Sequence, residues 1–207
     1  MKNMDFHGMD GYLDASLPRE FTLWRPAMKM IFPKMNYKDK AIDYINEFYT
    51  YGSEINGSGG LDRLLREGTY EEWLQKLIND IDIANIPASK VPAITYFYVR
   101  EEDDRIVGMT NIRLALNDFL RKEGGHIGYS IRPTERRKHY ATAMLNEALK
   151  VCRTIGIQNV IVTCDKANIG SSGVIKNCRG ELEAEFYSDT YGEILQRYVI
   201  HLAEPLE

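Results

Sequence analysis

Between Gly124 and Gly156 the chain reads as a short extended run, a basic turn and a long helix, and no other stretch restricts the fold as much. The run from His126 to Ile131 has β character and stops at Pro133. A turn with Arg132, Arg136, Arg137 and Lys138 follows. Ala141, Met144, Leu145, Ala148, Leu149, Cys152 and Ile155 then recur at helical spacing, and Gly156 is a natural stop. A strand therefore feeds a helix through a cationic turn. The first N–H groups of a helix have no internal partner, and the helix dipole adds positive charge there. Such a junction suits a phosphate or another anion.

Charge makes that turn informative. The chain as a whole carries a net charge of −4, so a local cluster of four cations is not the average surface. The same acidity argues against a nucleic-acid partner. No apolar run approaches the length of a membrane span, and Lys2 and Asp5 precede no apolar segment of the kind a secretory leader needs. Cys152, Cys164 and Cys178 are odd in number and lack close metal-ligand spacing, so no metal site is expected and a reduced, cytoplasmic location is.

Arg136-x-x-His139-x-Ala141 resembles the Arg/Gln-x-x-Gly-x-Gly/Ala signature of the GNAT superfamily of N-acetyltransferases. The stretches Gly57–Asp62 and Gly124–Pro133 resemble a bacterial branch of that family whose acceptors are unknown. The resemblance implies an α/β fold with an α+β mixed sheet. That sheet is mostly antiparallel, with a parallel strand pair splayed at the cofactor site and helices on both faces. It also implies acetyl-CoA as donor. Its pyrophosphate would lie on Arg136, Arg137, Lys138, His139, Tyr140, Ala141 and Thr142. Its pantetheine arm would meet backbone groups of Tyr129, Ser130 and Ile131, with Asn168 and Ser171 closing the acetyl end. The sequence departs from the pattern at His139, where the family has Gly, and at Ile175, where many members have a Tyr acid.

The remaining chain fits one such domain over residues 27–207, preceded by an extension over residues 1–26. Phe6, Tyr12, Phe21 and Trp24 in that extension could pack on the body of the protein or on a second subunit, which makes a homodimer one expectation. Met28 to Phe32 reads as a strand, and Tyr37 to Tyr51 as a helix with Ala41, Ile42, Ile45, Phe48 and Tyr49 inward. Residues 52–62 read as a Gly-rich loop, and Thr69 with Glu72 as a capping box opening a helix to Asp82. Ile94 to Arg100 and Ile106 to Leu114 form a hairpin, and Asn117 to Glu123 a polar loop. Asn159 to Cys164 is an apolar strand, reached from the key strand by a right-handed crossover in one sheet. A short helix to Asn177 and a hairpin over 181–187 and 193–200 complete the chain.

Acetyl transfer to a primary amine needs a proton acceptor. His126 shares a strand face with Gly128 and Ser130, and Glu123 stands at the strand's start, so these two are the candidate catalytic residues. Glu54 and Asp62 suggest either an acidic mouth, and with it a cationic acceptor, or no more than a flexible surface loop. The acceptor is expected to be a small-molecule amine or an exposed peptide amino group. Cys152 and Cys164 do not read as activated nucleophiles, and Cys178, beside Lys176 and Arg179, is the one rival nucleophile. The resemblance implies direct attack of the amine, without an acyl-enzyme. A coenzyme-binding module without turnover is the alternative, on the strength of His139 and Ile175.

Overall fold

The computed structural model describes residues 26–202. The expected extension lies outside those residues, apart from residue 26. Seven strands and five helices follow in order: β1 Met28–Ile31, α1 Lys38–Thr50, α2 Leu61–Glu67, α3 Tyr70–Asn79, β2 Ala93–Arg100, β3 Arg105–Arg113, β4 Ile127–Ile131, α4 Tyr140–Thr154, β5 Asn159–Asp165, α5 Ile169–Asn177, β6 Glu181–Ser188 and β7 Glu193–His201. They build two antiparallel sheets, β1-β2-β3-β4 and β5-β7-β6.

Helices cover both faces of the first sheet. Tyr44, Ile45 and Phe48 of α1 and Trp73 and Leu77 of α3 pack on Phe97, Val99, Ile106 and Met109. On the other face, Met144 of α4 packs on Tyr98, Val107 and Ile131. Leu145, Ala148, Leu149 and Cys152 of α4 continue onto β5 and β7 through Val160, Val162, Tyr198 and Ile200. One long helix thus bridges both sheets. Its apolar stripe is the one read from the sequence, except that Ile155 lies beyond the helix and is 42 % exposed.

Three local expectations change. In α1, Tyr44 is buried and Tyr49 faces out, because the stripe centres on Ala41, Tyr44, Ile45 and Phe48. The Gly-rich stretch ends in α2, a short helix entered through Gly60 at φ 86°, a start that side-chain capping rules do not reveal. The polar loop contains a π-helical turn, Leu120–Gly124, that buries Glu123. By contrast, the capping box forms as read: Thr69 Oγ1 accepts from the Glu72 N–H at 3.2 Å, and Glu72 Oε2 accepts from the Thr69 N–H at 2.7 Å.

The crossover needs a further correction. β4 and β5 do not share a ladder; each is the edge of its own sheet. They meet at one point, where the His126 N–H donates to the Ile161 carbonyl at 2.7 Å. Gly125 makes that contact possible: at φ 64°, a Cβ there would stand 2.5 Å from the Ile161 carbonyl oxygen. Beyond the contact, β4 presents an unpaired edge.

Candidate active site

The edge has a definite polarity. The Arg113 N–H donates to the His126 carbonyl, and the Arg132 N–H donates to the Val107 carbonyl. Alternate residues of β4 therefore bond to β3, which turns the backbone groups of Ile127, Tyr129 and Ile131 toward the gap. Of these, the Ile131 carbonyl already accepts from Arg136 Nε at 3.2 Å. Ser130 belongs to the opposite set. It pairs with Met109, and its hydroxyl donates to the Asn56 carbonyl at 2.6 Å, so Ile127 rather than Ser130 turns its backbone toward the gap.

Past Pro133 the chain makes a 3₁₀ turn and then places Arg137 (φ 65°) and His139 (φ 63°) in the left-handed region. The family's Gly position is thus a positive-φ position here, occupied by His, one of the residues that tolerates it better than most. His139 is the N-cap of α4 and makes no side-chain cap. The first helical bond runs from Ala143 to the His139 carbonyl. Among the described residues, the N–H groups of residues 137–142 donate to no protein acceptor. Successive free N–H groups in such a turn form a concave anion cradle, reinforced by the helix dipole.

The four cations of the turn are not equivalent. Arg132 is 1 % exposed; Nη1 lies 2.8 Å from both Asp43 and Glu47, and Nε donates to the Ile106 carbonyl. It braces the fold and faces no ligand. Lys138 pairs with the buried Glu135 at 2.8 Å, which also holds Arg100. Arg136 bends back to Ser53 Oγ at 2.6 Å and over the Phe48 ring. Arg137 is exposed and, among the described residues, makes no side-chain hydrogen bond or ion pair.

Tyr129 crosses from β4 to α5: its hydroxyl lies 2.9 Å from Ser171 Oγ. Burial raises its pKa. Asn168 caps α5, its Oδ1 accepting from the Ser171 N–H at 2.9 Å. Ile175 is fully buried beneath them.

His126 is drawn into the strand contact. Its Nδ1 accepts from the Ile161 N–H at 2.9 Å, which leaves the ring proton on Nε2. Burial, followed by the nearby charges of Arg113 and Arg121, lowers its pKa to about 4. An imidazole with one lone pair engaged and so low a pKa is a poor proton acceptor, and His126 serves here as a pin between the two sheets. Glu123 accepts from Ser188 Oγ at 2.7 Å and pairs with Lys122 at 3.1 Å. The Ser188 hydrogen bond leads in holding its pKa down, which suits a tie between the π-helical turn and the last hairpin.

Asp62 also turns inward, accepting from Ser58 Oγ at 2.7 Å, so only Glu54 of the expected acidic mouth faces out. A carboxylate the sequence did not single out joins it. The pKa of Glu193 is raised by burial, then by the charges of Asp165 and Glu54. All three cysteines are free and buried, and burial pushes the Cys178 thiol up to about 11, far from an activated nucleophile.

An unpaired strand edge leading to an uncapped helix N-terminus suits a ligand with amide groups at one end and a diphosphate at the other. The family model for the acetyltransferase (GNAT) family matches residues 60–180. The chain belongs to that family. It is an acetyl-CoA-dependent N-acetyltransferase, with acetyl-CoA as the donor. Solved structures share the fold. The ribosomal-protein-S5-alanine acetyltransferase of Vibrio fischeri is 15 % identical with a TM-score of 0.63, over 84 % of this chain and 92 % of that one. The ribosomal L7/L12 α-N-protein acetyltransferase RimL, in complex with coenzyme A, is 13 % identical with a TM-score of 0.61, over 84 % and 94 %. The microcin C7 self-immunity acetyltransferase MccE, in complex with acetyl-CoA and AMP, is 16 % identical with a TM-score of 0.58, over 84 % and 92 %. No curated protein sequence matches the chain. Among the described residues, no helix is long and apolar enough to cross a membrane.

Proposed function

We propose that this enzyme acetylates a primary amine by direct attack on the thioester, without an acyl-enzyme. The observation that carries the reading is the continuity of the unpaired β4 edge with the free N–H groups of residues 137–142. In this reading those N–H groups and Arg137 hold the diphosphate. The gap-facing backbone of Ile127 and Tyr129 receives the pantetheine arm. The buried, unactivated cysteines support attack by the amine itself.

Tyr129 takes the proton-donor part that Ile175 leaves open. Its hydroxyl reaches the start of α5, where Ser171 fixes it. Glu193 receives the proton lost by the amine, its raised pKa making it a better acceptor than Glu123. The free, buried cysteines also favour a reducing compartment such as the cytoplasm.

The test is thiol release from acetyl-CoA with a panel of primary amines, alongside calorimetry of acetyl-CoA binding. Amine-dependent release is expected. Tyr129→Phe should lower kcat by about 10²–10⁴-fold with acetyl-CoA affinity unchanged, the usual contribution of a general acid. Coenzyme binding with no amine-dependent release across the panel overturns the reading.

A further inference from the structure

A cavity of about 420 Å³ lies between the Gly-rich loop, the starts of α3's following segment and β2, and the π-helical turn. That size suits a small molecule. Its wall reaches the reacting edge. Gly57 packs so tightly on β4 that a Cβ there would stand 2.4 Å from the Gly128 carbonyl oxygen. On the far side, the Phe119 ring meets Tyr191 at the tip of the last hairpin, with centroids 6.5 Å apart. The cavity therefore opens beside the first residues of β4, next to the point where β4 and β5 meet.

Its charge is one-sided. Lys76 and Asp80 neutralise each other as an ion pair. Arg63, Lys90 and Arg113 remain, and among the described residues none has a carboxylate within ion-pair distance. Arg113 is the informative one, because it is half-buried. Nη1 is used up by the carbonyls of Gly124 at 2.9 Å and Gly125 at 2.8 Å. Nε and Nη2 donate to no protein acceptor among the described residues, and Nη2 stands 3.8 Å from where a Cβ on Gly128 would be. Desolvation lowers the pKa of Arg113, as expected of a cation withdrawn from water without a counter-charge.

A buried charge is tolerated when something pairs with it. The open side of a guanidinium is a planar fork that matches a carboxylate or phosphate in two parallel hydrogen bonds. Gly128 keeps the space in front of that fork clear of side chain.

We propose that the acceptor is a small amine carrying its own carboxylate or phosphate, and that Arg113 binds that group in this cavity while the amine faces β4. The proposal rests on the transferase reading above and reverses the cationic acceptor expected from Glu54 and Asp62.

The test compares amino acids, their neutral amides, and amino-alkyl phosphates as acceptors at saturating acetyl-CoA. At least one anionic series should exceed the amides in kcat/KM by about tenfold or more, since a site built for a polar group rejects analogues lacking it. The better of the carboxylate and phosphate series names the group. Arg113→Gln should remove most of that preference, lowering kcat/KM for the anionic series by about tenfold more than for the amides. Because Arg113 also holds Gly124 and Gly125, the exposed rim pair Arg63→Glu and Lys90→Glu provides a variant that does not threaten folding. It should weaken the same preference by several-fold through charge alone. Amides acetylated as well as the acids, or an equal loss for both in Arg113→Gln, overturns the proposal. Calorimetry of the protein saturated with coenzyme A separates the two readings. Arg113-dependent binding of the acids without their acetylation overturns the acceptor proposal, while acetylation of the amides alone leaves the transferase reading standing. No binding of either anionic series sinks this proposal alone.

Discussion

β4 and β5 each end by feeding a helix, and the two junctions differ in their first turn. After β5, the Asp165 side chain accepts from the Ala167 N–H and its carbonyl from the Asn168 N–H. The Asn168 side chain then accepts from Ser171, and the start of α5 is closed by its own chain. After β4, His139 stands at the N-cap in a left-handed conformation and caps nothing. The same geometry is spent on folding at one junction and left open at the other. A helix N-terminus becomes an anion site through what the sequence omits, namely the Asn, Asp, Ser or Thr side chain that would satisfy it.

The largest effect should come from the cation that the β4 junction hides. Arg132→Ala strips the buried partner from Glu47. Removing one member of a buried pair typically destabilises by about 3–5 kcal/mol, and a fall in Tm on that scale is expected. A change near that of an exposed lysine would mean that Arg132 is not the brace the geometry describes. The comparison itself is tested by exchanging the two caps. Ala141→Asp puts a carboxylate over the open N–H groups of α4. It should weaken acetyl-CoA by at least about a hundredfold, a little under 3 kcal/mol, with stability held or slightly raised by the dipole. Asn168→Ala at the other junction should show the reverse: about 1 kcal/mol of stability lost, and acetyl-CoA affinity nearly unchanged. Calorimetry and thermal melts on the two variants decide it, and loss of acetyl-CoA affinity in both would erase the distinction. The smallest effect belongs to His139→Gly. Relief of a positive-φ side chain should stabilise by about 1 kcal/mol, with acetyl-CoA affinity changed by less than about tenfold. A much larger gain in affinity would mean that the imidazole obstructs the cradle.

The linear pattern carried a great deal of this. Apolar spacing placed α1, α3 and α4, turn residues placed both hairpins, and Thr69 with Glu72 placed a cap that forms as written. The strand–turn–helix from His126 to Gly156 located the free N–H groups at the start of α4, because backbone N–H groups at a helix start need no particular side chain. Short elements were harder to see. α2 has seven residues and enters through a left-handed Gly60, so neither periodicity nor a capping side chain marks it. The π-helical turn at Leu120–Gly124 has no comparable signature.

The sequence by itself determined that a strand feeds α4 through a basic turn whose helix start is uncapped, since that depends on local pattern and on the absence of a capping side chain. Only the tertiary structure decided what each charged side chain does. Arg132 and Arg137 look alike in the sequence, yet one is locked to Asp43 and Glu47, 89 and 85 residues away, and the other is exposed. His126 meets Ile161, 35 residues on, and Tyr129 meets Ser171, 42 residues on. Arg113 has no partner at all among the described carboxylates. Whether a charge is a brace, a pin or a binding group depends on its desolvation and on the polar atoms within about 3 Å, and distant parts of the chain supply those atoms.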